Sequence, residues 1–130
     1  NAEEFKLIET GVKNIAMDSG EEKLFFMKQN AVGVFYLKDN NYQPFQKREG
    51  TQILFQSSDT AFLNAVWYQE DNAHIILNTA SGVFLLDIDT RGGPRIAELD
   101  LQSAKTIFWN QQEKKLYLIR DTGIETLAIE

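Results

Sequence analysis

A single histidine is the residue of this chain whose type most readily suggests catalysis or metal binding. His74 is the only histidine, and it directly precedes the apolar residues 75–77. Ser-His-Asp catalysis would have to use it, but the sequence has no Gly-x-Ser-x-Gly turn to supply the nucleophile. A metal site would need further nitrogen or carboxylate ligands at suitable spacing, which the neighbouring sequence does not provide. We therefore interpret His74 as an ordinary residue at the start of a strand.

Two groups of carboxylates could also do chemistry. Asp87 and Asp89 precede a Gly-Gly-Pro sequence, but the further oxygen ligands and the distal Glu of a calcium loop are absent. Glu21 and Glu22 are adjacent and could act as an acid and base pair on a glycoside. Because they fall in a predicted turn, we expect them to be solvated instead. The sequence predicts turns at both places, with no catalytic residue, no metal and no cofactor.

Aromatic side chains could form a platform for sugars or peptides. Trp67, Tyr68, Phe108 and Trp109 stand among other apolar residues on predicted inner strands. Such large side chains contribute most when they are buried, so we predict core packing for all four.

Composition excludes several classes of partner. The net charge of -6 disfavours nucleic acid and anionic membranes, which require a cationic surface. Cysteine is absent, which excludes disulfides and thiolate chemistry. No apolar run approaches the ~20 residues of a membrane helix, and no signal peptide is recognisable. The sequence leaves the compartment open.

The elements that would position these residues are short β-strands. Apolar runs of three or four residues, rich in β-branched and aromatic side chains, are bounded by Gly, Asn, Asp and Ser, as is typical of strands. Because the runs are apolar at consecutive positions, both faces of these strands should be covered, as in a stack of sheets. The runs comprise residues 24–27, 34–37, 65–68, 75–77, 83–86, 107–109 and 116–119.

The runs repeat along the chain. Met17, Tyr68 and Trp109 occupy equivalent positions in the aligned repeats, and so do Leu24, Ile75 and Leu116. The equivalent positions are 51 and then 41 residues apart. A period of roughly 40–50 residues with four short strands is typical of a propeller blade. The sequence therefore predicts an all-β chain of three four-stranded antiparallel propeller-blade repeats, at residues 10–58, 59–101 and 102–130.

The repeat also resembles a known group of proteins. An aromatic-ending strand, a polar turn, Lys-Leu-x-Phe/Leu, a Gly turn and Val-Phe-x-Leu-Asp resemble the blades of TolB-type and WD-repeat-like propellers over nearly the whole chain. The resemblance implies binding at the mouth of a central channel and at the surrounding loops, including residues 30–33, 57–60, 79–82, 101–103 and 121–123. The candidate binding residues there are Lys13, Asn14, Asn30, Asn64, Ser81, Lys105 and Asp121.

The predicted strands leave one repeat incomplete. They are residues 12–17, 23–28, 34–38 and a strand within 44–56; then 63–68, 74–78, 83–88 and 95–99; then 105–109, 115–120 and 124–129. The third repeat lacks a fourth strand, whereas residues 4–9 alternate polar and apolar side chains, as a strand with one wet face does. We predict that residues 4–9 complete the third repeat.

Three blades are too few to close a ring, and each end blade would expose an apolar face. Two arrangements remain open. Two chains could form a head-to-tail homodimer, a six-bladed ring with exchange of the N-terminal strands, or the repeats could belong to a longer chain. We favour the dimer because the surplus strand matches the missing one.

The functional hypothesis that follows is a non-catalytic binding and assembly module for protein–protein interaction. The alternatives are the propeller portion of a larger hydrolase or other enzyme, and a half-propeller that serves self-assembly alone. Because one fold supports many functions, the sequence leaves these alternatives open.

Overall fold

The computed structural model describes residues 5, 7–37 and 50–129. Within these residues the chain forms β-strands and no helix, as predicted. The strands are β1 (Asn14–Met17), β2 (Lys23–Met27), β3 (Ala31–Tyr36), β4 (Gly50–Gln56), β5 (Phe62–Trp67), β6 (His74–Thr79), β7 (Gly82–Asp87), β8 (Ile96–Asp100), β9 (Thr106–Asn110), β10 (Lys115–Arg120) and β11 (Gly123–Ala128).

Consecutive strands pair antiparallel to form three sheets. Sheet 1 contains β1–β4, sheet 2 contains β5–β8, and sheet 3 contains β9–β11. Neighbouring sheets approach most closely at their first strands, β1, β5 and β9. In each sheet the chain runs from the first strand outward, because every connection within a sheet joins neighbouring strands.

Sheet 2 lies between the other two sheets. Phe25 and Met27 of sheet 1 pack with Trp67 and Leu77 of sheet 2 in one apolar cluster. The opposite face of sheet 2 packs on sheet 3 in a second cluster, which includes Ile76 with Ile107, Trp109 and Leu116. Since each large apolar side chain contributes about 1.5–3 kcal/mol when fully buried, these two clusters are the main source of stability. The consecutive apolar residues of β6 are explained by sheets on both sides.

One predicted strand begins earlier than expected. The third strand of repeat one begins at Ala31 rather than at residue 34, so residues 31–33 are not the loop predicted for binding. Gly33 lies inside this strand because the backbone and Phe26 approach it closely. A Cβ at Gly33 would lie 2.5 Å from the Gln52 carbonyl oxygen and 2.5 Å from the Phe26 ring. The glycine marks close packing here rather than a turn.

The predicted alignment of the repeats is wrong by one residue in repeat two. Met17 pairs with Leu24 and Trp109 pairs with Leu116, but the residue opposite Ile75 is Trp67, not Tyr68. The turn between β5 and β6 is one residue longer than its counterparts. Asn72 adopts a φ of 50° in this turn, a conformation that asparagine tolerates better than most residues.

The two ends of the predicted repeats are only partly described. Residues 4 and 6, and residues 38–49, lie outside the described residues. Phe5 and residues 7–9 are not part of a strand in the single chain. The completion of sheet 3 by residues 4–9 stays a prediction.

Candidate functional site

The seven candidate binding residues lie at one end of the sheets. Each first strand begins where the second and third strands of its sheet are joined, so the strand starts and these turns meet at the same end. The residues at strand starts are Lys13, Asn14, Asn64 and Lys105, and those in the turns are Asn30, Ser81 and Asp121.

Several of these residues bond to other parts of the chain. The Lys13 ammonium donates to the Gln29 side chain at 3.0 Å and to the Phe62 carbonyl at 3.1 Å. Ser81 Oγ lies 2.9 Å from Thr60 Oγ1. These contacts tie turns and strand starts of the sheets together.

Lys105 and Asp121 come together as a pair. Lys105 Nζ lies 2.9 Å from Asp121 Oδ1, with both side chains largely exposed. They line a cleft of about 440 Å³ between sheets 2 and 3, beside Gln102 and Arg120. Arg120 Nη2 also lies 2.7 Å from Asp100 Oδ2 of β8. The cleft therefore offers both charge signs at the end of the sheets where the sequence predicts binding.

Asn14 and Asn64 instead connect neighbouring sheets. Asn14 Oδ1 accepts the Ala65 N–H of sheet 2 at 2.8 Å. Asn64 Oδ1 accepts the Ile107 N–H of sheet 3 at 3.3 Å, while Asn64 Nδ2 donates to the Ile107 carbonyl at 3.1 Å. We call this recurring contact the asparagine bridge. In the sequence, each asparagine stands three residues before the last residue of its strand: Asn14 before Met17 in β1, and Asn64 before Trp67 in β5.

The aromatic residues of the inner strands divide into two groups. Trp67 and Trp109 are buried, as predicted. Trp67 Nε1 donates to the Ala16 carbonyl of sheet 1 at 2.8 Å, and Trp109 packs edge to face on Tyr68 at 5.1 Å between ring centroids. Phe108 is 59% exposed, so the prediction of core packing is wrong for it. Alternate residues of β9 face opposite sides, and only Ile107 and Trp109 face sheet 2.

A second cleft lies at the other end of sheets 1 and 2. It has a volume of about 580 Å³ and is lined by His74 and several carboxylates: Asp18, Glu22, Asp71, Asp87 and Asp89. His74 begins β6, as predicted, and its Nδ1 lies 2.8 Å from Asp71 Oδ2. Among the described residues, no three His, Cys, Asp or Glu side chains are arranged to hold a metal ion.

A buried ion pair forms the floor of this second cleft. Lys23 Nζ lies 2.9 Å from Asp18 Oδ2, and the ammonium stands 5.4 Å from the centre of the Trp67 ring. Burial alone would raise the pKa of Asp18. Hydrogen bonds from the Lys23 ammonium and from the backbone N–H groups of Lys23 and Glu22 outweigh it and hold this pKa below its usual value.

The turns that contain the other carboxylates form as predicted. Glu21 and Glu22 lie between β1 and β2, and Asp89 lies between β7 and β8. The Arg91 guanidinium donates to both Asp89 oxygens, at 3.0 and 2.8 Å. This bond, the largest influence on the carboxyl group, holds the pKa of Asp89 well below its usual range.

Sheets 1 and 3 each have a face that no described sheet covers. On sheet 1, the open face carries Ile15, Met17 and Ile53, all exposed. On sheet 3, the open face carries Phe108, Tyr117 and Ile124, of which Ile124 is 69% exposed. Phe108 and Tyr117 contact each other edge to face at 6.3 Å between ring centroids. Below, we call the first group of residues the open face of sheet 1 and the second group the open face of sheet 3.

Comparison with known proteins gives a likeness of fold only. No protein-family model and no curated protein sequence matches the chain. A solved structure, the extracellular domain of a protein described as a putative one-component system of B. thetaiotaomicron, superposes with a TM-score of 0.66 at 15% identity. The superposition covers 92% of this chain and 14% of that chain. Among the described residues, no helix is long and apolar enough to cross a membrane.

Proposed function

We propose that the chain is a non-catalytic binding and assembly module, whose propeller-type sheets associate with further sheets of the same kind. One observation carries the proposal: the open faces of sheets 1 and 3 bear apolar residues at the positions that form the two interior interfaces. Isolated exposed apolar residues are common on protein surfaces, but contiguous apolar patches indicate interaction sites.

The arrangement of the strands supports a propeller. The sheets follow one another in sequence order, and their first strands converge, as in a set of blades around a central axis. In such an arrangement each blade except an edge blade has a neighbour on both faces. Sheet 2 already has this environment, and sheets 1 and 3 each lack one neighbour among the described residues.

For the isolated chain, the partner we propose is a second copy. Two chains placed head to tail would bring six sheets together, which lies within the usual range for a closed propeller. Residues 4–9 of one copy would pair with β11 of the other. In support, β11 is the outer strand of sheet 3 and is mostly exposed, and Phe5 and Leu7 are largely solvent-exposed.

The experiment is the solution mass by light scattering on a sizing column, from micromolar to nanomolar chain. The proposal predicts a particle of twice 14.9 kDa that persists on dilution. Deletion of residues 1–10 should weaken it if the N-terminal strands exchange. A monomer at all concentrations would contradict self-association, and open-ended growth with concentration would contradict the closed dimer.

A second candidate function is that the chain forms part of the ligand-binding region of an extracellular sensor. The specific observation is the likeness of fold over 92% of the chain to an extracellular domain. The cleft beside Lys105 and Asp121 would be the recognition site. Thermal-shift screening of saccharides and peptides tests this candidate, with Lys105→Ala as the variant that should lose a hit. Hits that Lys105→Ala leaves unchanged would exclude this cleft.

A further inference from the structure

We infer that the open face of sheet 3 receives the open face of sheet 1 from a second copy, in the same register as the two interior interfaces. This inference rests on the proposed self-association and adds to it the identity of the two faces and their alignment. The alternative for a dimer is contact between two identical faces, such as sheet 3 against sheet 3.

The first step is that the interior interfaces repeat. In both, an asparagine of one sheet accepts a backbone N–H from the first strand of the next sheet, at Ala65 and at Ile107. In both, a tryptophan from the next sheet packs back on the preceding one, Trp67 beside Ala16 and Trp109 against Tyr68. The contact has a direction. We call the face that contributes the asparagine side chain, whose oxygen accepts the hydrogen bond, the giving side. We call the face that contributes the backbone N–H and the tryptophan the receiving side.

The second step is that the open face of sheet 3 occupies the giving side. By strand register, Thr106 stands where Asn14 and Asn64 stand in the preceding sheets, and Phe108 stands where Ala16 and Val66 stand. Thr106 is exposed, and its hydroxyl can accept one hydrogen bond as the asparagine oxygen does. Sheet 3 therefore presents a polar acceptor and an apolar side chain at the positions where the packed faces of sheets 1 and 2 do so, with Thr106 in place of asparagine.

The third step is that the open face of sheet 1 occupies the receiving side. Ile15 stands where Ala65 and Ile107 stand, and Met17 stands at the position of the two tryptophans. Met17 is 47% exposed although it is equivalent to two buried residues. An unbranched thioether adapts to an irregular apolar surface and contacts aromatic rings favourably.

Together these positions specify the contact between copies. The Ile15 N–H of one copy would donate to Thr106 Oγ1 of the other, and Met17 would pack on Phe108 and Tyr117. Both sides are present in one chain, so a second copy supplies what each end lacks. Contact between two copies of the same face does not reproduce this arrangement, because each would bring two giving or two receiving sides together.

Two charged variants separate these arrangements. Met17→Glu changes the receiving face alone, and Phe108→Lys changes the giving face alone. Both side chains are substantially exposed in the single chain, so the far-ultraviolet circular dichroism and the unfolding midpoint of dilute protein should stay near those of wild type. In a head-to-tail dimer each variant alone has both interfaces altered, and each should dissociate to monomer at micromolar concentration.

Mixing the two variants gives the decisive result. A head-to-tail heterodimer has one interface with unaltered Met17 and Phe108, and one in which the introduced carboxylate faces the introduced ammonium as an opposite charge. Equimolar mixing should therefore restore the dimer. If Phe108→Lys dissociates the dimer while Met17→Glu does not, two sheet-3 faces meet and the inference is wrong. If neither variant changes a wild-type dimer, the faces lie elsewhere and the inference is also wrong, although self-association stands.

A gain of affinity tests the register itself. Thr106→Asn supplies the amide found at the interior interfaces, and one added hydrogen bond should tighten association by about two- to tenfold. Thr106→Ser keeps the hydroxyl and is the matched control, with a dissociation constant near that of wild type. Thr106→Asn without any gain, or with the same change as a Ser58→Asn variant in the exposed turn between β4 and β5, would contradict this register. A wild-type monomer would instead contradict the proposed function on which the inference rests.

Discussion

Sheets 2 and 3 contain similar sequences in different surroundings. In β6 the residues Ile75, Ile76 and Leu77 are all buried, because sheets lie on both sides. In β10 the run of residues 116–119 is equally apolar, yet only Leu116 and Leu118, which face sheet 2, are buried. The difference shows that equally apolar strands can be buried on two faces or on one, and that β10 carries apolar side chains on the face that no described sheet covers.

The largest expected difference in the free energy of unfolding is between shortening a buried isoleucine of sheet 2 and shortening an exposed isoleucine of sheet 3. Ile76→Ala removes buried apolar volume between sheets 2 and 3 and should lower the free energy of unfolding by about 2–5 kcal/mol. Ile124→Ala, on the open face of sheet 3, should change it by less than about 0.5 kcal/mol in dilute protein. Urea unfolding at nanomolar concentration measures both. Equal losses would show that the open face of sheet 3 is covered within a single chain.

Two equivalent glycines test the effect of the fourth strand, which sheet 2 has and the described part of sheet 3 does not. Gly82 and Gly123 begin β7 and β11 with φ of 143° and 140°, so alanine is strained at both, by about 1–3 kcal/mol. A Cβ at Gly82 would also lie 2.4 Å from the carbonyl oxygen of Asp100, the last residue of the fourth strand, β8. A Cβ at Gly123 would meet no atom of the described chain within 4 Å.

We therefore expect Gly82→Ala to lower the unfolding free energy by at least about 1 kcal/mol more than Gly123→Ala. Thermal and urea unfolding of the two variants test this difference. A smaller loss for Gly82→Ala would show that β8 does not restrict this position as the structure indicates.

The asparagine bridges distinguish the two interior interfaces. Asn64→Ala removes the acceptor of the Ile107 N–H and one partner of the Asn78 amide, which should lower the unfolding free energy by about 1–3 kcal/mol. Asn14→Ala removes one bridge to Ala65, and we expect about half that loss. A larger loss for Asn14→Ala in urea unfolding would reverse the assigned importance of the two bridges.

The smallest effect is a pH dependence confined to the contact of sheets 1 and 2. Because the pKa of Asp18 is held below its usual value of 3.8 in the folded state, the unfolded chain takes up the proton first as the pH falls. The contribution of Asp18 is present above about pH 4 and is lost as the pH falls through the folded-state pKa.

The stability difference between wild type and Asp18→Asn should therefore shrink as the pH is lowered from about 5 through the folded-state pKa of Asp18, as measured by urea midpoints. Asp59→Asn, at an exposed turn, is the control. A difference that grows towards low pH would contradict the assigned direction of the pKa of Asp18.

Much of the fold follows from the sequence because strands of this kind are local. The runs around β6 and β10 indicate the strand positions, and the turn residues between them indicate antiparallel pairing. The start of β3 was less accessible because Gly33 serves close packing rather than a turn, a distinction that depends on Phe26 and Gln52 in space. The one-residue error at Tyr68 arose from a longer turn, which the spacing of apolar residues does not reveal.

The candidate site was less predictable than the fold. The sequence identifies Asn14 and Asn64 as polar residues at strand starts, but their role between sheets depends on which backbone N–H lies opposite. Phe108 resembles its buried neighbours Ile107 and Trp109 in type, and only the presence or absence of an adjoining sheet decides whether it is covered. The pairing of Lys105 with Asp121 likewise depends on two segments that are apart in sequence.

The central claim is that the open faces of sheets 1 and 3 are sheet-binding surfaces, and sedimentation velocity tests it most directly. Wild type and Met17→Glu are compared at the same micromolar concentration. The account predicts a wild-type particle of twice 14.9 kDa and a folded monomer for Met17→Glu. A monomer of 14.9 kDa for both proteins would contradict it.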